Sequence, residues 1–168
     1  DNKEATLRLL AAAKSTQDIG TAKRATYSAQ FSQSPELLEK SSLLWSQLAP
    51  EDPLPWQYMA QAASLTHQFD QATFALEEEL KRGGGAGLPY VASLSVNKAP
   101  ALQKKLRGTF ESWLDTYPNQ KQLLYAIALL ERNAGQTDKA IVYITKALAQ
   151  DAHFLQAQVA YGELLLTN

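Results

Sequence analysis

The chain has 168 residues, 45% hydrophobic and 20% charged, the balance of a folded soluble domain or a short repeat array. Its net charge of -1 gives no electrostatic footprint for nucleic acid or an anionic membrane, and no apolar run is long enough to span a bilayer. It has no cysteine, which excludes disulfides, thiolate metal sites and cysteine nucleophiles without fixing a compartment.

In chain order the elements all read as helices. Residues 1–18 form one helix that completes an earlier unit. "SPELLEKSSLLWSQLAP" opens with Ser34 as a candidate cap and Pro35 at the first helical position, and closes before Pro50. "EDPLPWQYMAQAASLTH" opens in the same way on Pro53 and Pro55. The run Glu77, Glu78 and Glu79 reads as a solvated helix face beside Lys81 and Arg82. Gly83, Gly84, Gly85 and Gly87 follow. They resemble a phosphate cradle at first sight, but Gly87 precedes Leu88 and Pro89 where a P-loop needs Lys and a hydroxyl, and no strand leads into them. They read instead as slack between units. Leu88 to Asn97 is a short helix ended by the Ala99–Pro100 step. "QKQLLYAIALLERNAG" carries Leu123, Leu124, Ile127 and Leu130 on one stripe and ends in Gly135, which can turn left-handed. Thr137 is the candidate cap of the next helix, with Ala140, Ile144, Ala147 and Leu148 on one face. No segment alternates like a strand.

The elements repeat. Trp45 and Trp113, Pro50 and Pro118, Ala60 and Ala128, Ala72 and Ala140, and Leu80 and Leu148 each lie 68 residues apart, and 68 is two periods of 34. A period of 34 is that of a helix–turn–helix unit whose apolar face is buried only by stacking on its neighbours. The register places repeats at 19–52, 53–86, 87–120 and 121–154, with 155–168 as the first helix of a further unit.

On these residues the chain resembles the tetratricopeptide repeat family. Trp56, Met59, Ala60, Phe69 and Ala72 in the second unit match its pattern, as do Leu124, Ile127, Ala128, Gly135, Ala140 and Ala147 in the fourth. The first and third units keep the terminal proline but carry Trp45 and Trp113 where a small residue belongs, and unit 87–120 is degenerate. The resemblance implies an all-α fold of antiparallel helix pairs stacked as a right-handed superhelix, the whole chain being one repeat domain cut from a longer protein. It implies a binding groove lined by the first helices: Lys23, Tyr27, Gln30 and Phe31, then Gln57, Tyr58, Gln61 and Leu65, then Tyr125, Leu129, Arg132 and Asn133. Amides there can pair with a peptide backbone and cations with a carboxylate. The lysine–asparagine clamp of chaperone-binding members is not reproduced, since Lys23 falls on one of its positions but Tyr27 stands where an asparagine is expected one turn later, and the second repeat offers Gln57 and Gln61 instead.

No catalytic constellation is visible. His67 and His153 lie in different units without ligand spacing around them, so neither a metal nor a cofactor is expected, and an enzyme is not. His67 takes the inter-helix turn position where the family often has glycine. The order of good, degenerate and good units is similar to the N-terminal part of large proteobacterial repeat proteins, many of them envelope lipoproteins. That likeness implies a scaffold for envelope proteins such as proteases or cell-wall enzymes, located in the periplasm or envelope, with protein or peptide partners and no membrane insertion of this segment. Self-association through the incomplete end units is the alternative.

Overall fold

Helix boundaries follow the chain's punctuation. The computed structural model describes residues 2–166. Among them run ten helices and no strand: α1 (Asn2–Thr16), α2 (Ile19–Phe31), α3 (Pro35–Leu48), α4 (Leu54–Leu65), α5 (Phe69–Lys81), α6 (Gly87–Leu94), α7 (Pro100–Trp113), α8 (Lys121–Asn133), α9 (Thr137–Gln150) and α10 (Leu155–Leu166). Proline occupies the first turn of α3, α4 and α7, where its missing N–H costs nothing. Ser34 caps α3 by accepting from the Leu37 amide at 3.4 Å, and Asp18 caps α2 through the Thr21 amide at 2.6 Å. Thr137 is not a cap. It is the first residue of α9, and Gln136 stands at the cap position without a side-chain bond. The helix expected over Leu88 to Asn97 is shorter, because Ser95, Val96 and Lys98 donate to carbonyls three residues back and the helical ladder gives way to turns.

The chain forms two compact units, Asp1–Gly87 and Leu88–Asn168. In the first, each of α1 to α5 packs on its chain neighbours, and α1 also meets α3. Small residues make this possible. Ala13, Ala22, Ala25, Ala60 and Ala72 are buried, so backbones approach where a larger side chain would hold them apart. Trp45 fills the space between α1, α2 and α3 with Leu10, Ala13, Ala22, Ala25 and Leu44 around it, and is fully buried. Its Nε1 donates to Asp52 Oδ2 at 3.1 Å, so the ring's polar edge is satisfied. In the second unit, α8, α9 and α10 share a core of Leu124, Ala128, Ala140, Ile144, Ala147, Phe154, Ala157, Ala160 and Leu164. Trp113 stacks on Phe110 at 5.3 Å.

Several inter-helix turns pass through a left-handed residue. Gly135 has φ 72°, as its residue type allows, and His67 has φ 63° where glycine would serve better. His67→Gly is expected to stabilise the first unit by roughly 0.5–1 kcal/mol, the relief of left-handed strain outweighing the added freedom of the unfolded chain. Urea unfolding followed by circular dichroism checks it.

Candidate functional site

The sequence-predicted lining residues fall in both units. In the first, α2 carries Lys23, Tyr27, Gln30 and Phe31, and α4 carries Gln57, Tyr58, Gln61 and Leu65. The two helices are brought together by rings. Tyr27 meets Tyr58 at 6.0 Å and Trp45 at 5.8 Å, both edge to face, and Tyr58 lies 6.1 Å from Trp45. Such pairs add on the order of 1 kcal/mol each beyond buried area, so they fix the spacing of α2 and α4. Lys23 lies over the Trp45 ring at 5.1 Å and pairs with Asp52 at 3.3 Å. Its charge is therefore engaged with the protein's own carboxylate. Burial raises the Tyr58 hydroxyl above the usual tyrosine range, with Tyr27 adding to it. What faces outward is the far end of α2 and α4: Phe31 is 71% exposed, Leu65 43% and Tyr27 40%, and Gln30 is exposed beside them.

In the second unit the four residues of α8 have unequal roles. Tyr125 is half-buried edge to face with Phe154 at 5.3 Å. Arg132 Nη1 donates to Glu163 Oε2 on α10 at 3.1 Å. Asn133 Nδ2 is buried with no acceptor in the protein, and Leu129 is buried in the packing of α8.

The stretch after α5 departs most from its sequence reading. Glu79 does not face solvent with its neighbours but is 1% exposed. Its Oε1 accepts from the amides of Gly85 at 2.9 Å and Gly87 at 3.2 Å, and Oε2 lies 3.2 Å from the Gly87 amide. Gly84 and Gly87 are there for close approach. A Cβ on Gly87 would stand 2.7 Å from Glu79 Oε2 and 2.9 Å from Leu76 Cδ2, and one on Gly84 would stand 2.7 Å from both Glu79 Cγ and Pro53 Cβ. The loop is thus a clamp on an internal carboxylate and not slack. The anion that its amides suggest is present in the chain itself. Burial drives the Glu79 carboxyl from 4.5 up to about 7, against the opposing pull of the Gly87, Gly85 and Ala86 amides. Glu78, by contrast, stays accessible and paired, with Lys81 and Arg82 holding it below the ordinary range.

Among the described residues no group of acidic, histidine or cysteine side chains could hold a metal ion, and no helix is long and apolar enough to cross a membrane.

Short helices paired through small residues, alternating in a register of 34, define an α-helical repeat array. No family model matches the chain. It is 26% identical over 132 residues to the TPR repeat-containing protein PA4667 of Pseudomonas aeruginosa, an alignment that covers 79% of this chain and 22% of that protein. Among solved structures it resembles TTC0263, a thermophilic TPR protein of Thermus thermophilus, with a TM-score of 0.61 at 16% identity, covering 98% of this chain and 91% of that one. MamA of Desulfovibrio magneticus RS-1 superposes with a TM-score of 0.51 at 16% identity, covering 89% and 84%. The chain has the tetratricopeptide-repeat fold, and its sequence is similar to that of a TPR repeat-containing protein over four fifths of its length. It spans about a fifth of the length of its Pseudomonas relative.

Proposed function

We propose that the chain is a non-enzymatic interaction scaffold whose α2–α4 face holds a peptide or protein partner. We further propose that it does so at the bacterial cell envelope, as an adaptor for proteases or cell-wall enzymes. The carrying observation is on α2 and α4. An aromatic cluster rigidly spaces them, while Phe31, Gln30, Tyr27 and Leu65 remain exposed. A pre-ordered surface with aromatic anchors and adaptable amides suits peptide recognition, since little is lost in ordering it. The likeness to a Pseudomonas repeat protein supports the bacterial setting.

The test is affinity capture with the purified chain, the bound proteins being identified by mass spectrometry. Phe31→Ala combined with Gln30→Ala is expected to release the captured partner at least about tenfold more readily, as removal of an exposed anchor does. Undiminished capture by that double variant refutes this face as the site.

A second reading has its own observation. On α10, Leu155, Val159 and Leu166 are 64%, 54% and 89% exposed and lie on one helical stripe. As a packing face it would make this chain a structural segment that self-associates or joins another helix. Sedimentation velocity across a concentration series decides it. A mass that doubles in the parent and stays monomeric in Val159→Lys supports self-association.

A further inference from the structure

Glu79 ties the chain leaving α5 back onto the α4–α5 pair. Its carboxyl is 1% exposed and accepts from the Gly85 and Gly87 amides, at 2.9 and 3.2 Å from Oε1, with the Gly87 amide also 3.2 Å from Oε2. Upstream, Gly83 and Gly84 donate to the carbonyls of Leu80 and Glu79 and close the helix, Gly83 turning left-handed at φ 79°. Side chains add little to hold residues 83–87. Ala86 is exposed, and a Cβ on Gly83 would meet nothing within 4 Å. The loop nevertheless lies against the helix pair, since a Cβ on Gly87 would stand 2.9 Å from Leu76 Cδ2 and 3.5 Å from Gln57 Cα. α4 and α5 pack on one another with Ala60, Ala72, Leu76 and Leu80 buried, so the pair has an apolar core of its own.

Among the described residues no cation pairs with Glu79. On α5, Lys81 is engaged by Glu77 and Glu78, and Arg82 by Glu78. On the α4 side the loop meets Pro53 and Gln57, which carry no charge. Before them Glu51 is exposed and Asp52 pairs with Lys23. The only ionisable residue of α4 is Tyr58, which turns to Tyr27 and Trp45. Residues 83–87 carry none, and α6 carries Tyr90 alone. An ionised Glu79 in the closed loop is therefore a buried charge compensated by amides only, whereas the neutral acid needs no counter-ion. Water is the remaining compensation, and it reaches the carboxyl when the loop lifts. Release also returns to four glycines the backbone freedom that they lost most of all on ordering.

We infer that residues 83–87 form a proton-controlled latch: the loop lies closed on neutral Glu79 and lifts from it when the carboxyl ionises, while α4 and α5 stay folded. The opening is local, a small segment leaving a helix pair that keeps its core. Burial raises the carboxyl to about 7, so the latch works across neutral pH. It requires no partner and stands apart from the α2–α4 binding reading.

NMR relaxation of the whole chain, its glycines labelled with carbon-13 at Cα, tests it. The Cα signal reports backbone motion without interference from amide exchange. In the parent, Gly85 and Gly87 are expected to fall from order parameters of about 0.85 at pH 5 to below about 0.6 at pH 8. Gly20, which lies in α2, should stay rigid at both, showing that the first unit remains folded. In Glu79→Gln the latch should stay closed at both pH values, with circular dichroism unchanged. The parent comparison carries the test alone if that variant fails to fold. Gly85 and Gly87 remaining rigid at pH 8, whether or not their shifts titrate, overturns the latch, because the carboxyl then either ionises inside the closed clamp or does not ionise. Loss of order at Gly20 together with Gly85 overturns it as unfolding of the whole unit. The same transition in folded Glu79→Gln overturns it by assigning the proton to another group.

Discussion

Raising the pH from 5 to 8 is expected to destabilise the first unit by up to about 3 kcal/mol through Glu79 alone. The sign follows from proton binding. The folded carboxyl is raised to about 7 from 4.5, so between those values the folded state holds a proton that the unfolded chain has released. Stability from this group is complete below the unfolded value and is lost as pH rises through about 7. The carboxylates that are depressed, Asp18, Glu36, Glu78 and Asp151, act in the opposite direction and only as pH falls through their lowered values. The two windows therefore do not overlap. Substitutions separate the charge from the hydrogen bonds. Glu79→Gln keeps an acceptor where Oε1 receives both the Gly85 and Gly87 amides, and removes the titration. It should be close to the parent at pH 5, more stable than the parent at pH 8, and flat between. Glu79→Ala strands two buried amides and should cost on the order of 3 kcal/mol at pH 5. Urea melts in a Trp113→Phe background report the first unit, since Trp45 and Trp56 both lie within it. A parent curve that is level from pH 5 to 8 would refute the account.

That carboxylate also marks where sequence reading stopped. The helix pairs were legible because their signals are local. Ser34 and Pro35 start a helix, Gly135 ends one, and the spacing of Trp45 to Trp113 and Ala72 to Ala140 sets the period. The burial of Ala60, Ala72, Ala128 and Ala140 follows from the same register. Glu79 was not legible, because three consecutive glutamates look alike until the chain from Gly84 to Gly87 folds back over one of them. Only the spatial return of those amides distinguishes Glu79 from Glu78. The residues of the α2–α4 face could be named from helix position, but position alone could not show that Lys23 is engaged by Asp52 or that Leu129 is buried.

Within the second unit, Arg107→Ala should cost about 3 kcal/mol, far more than loss of a surface ion pair. Glu131 on α8 is 1% exposed, and its Oε1 lies 3.6 Å from Arg107 Nε on α7. Its Oε2 is buried with no hydrogen-bond partner in the protein. Arg107 is therefore the cation that compensates a carboxylate already short of partners, and it remains partly open to solvent. Truncating it leaves a buried acid without its counter-charge, while truncating the acid leaves an arginine able to reach water. The two single substitutions should thus be unequal, with Glu131→Leu much the milder. Removing both, as Arg107→Met with Glu131→Leu, should return the unit to within about 1 kcal/mol of the parent or beyond it, because neither ion then requires burial. Hydrogen exchange of the α7 and α8 amides reads this directly. Arg107→Ala should accelerate exchange across α8, and the double substitution should restore its protection. Equal effects of the two single substitutions would show that the pair acts through packing and not through charge.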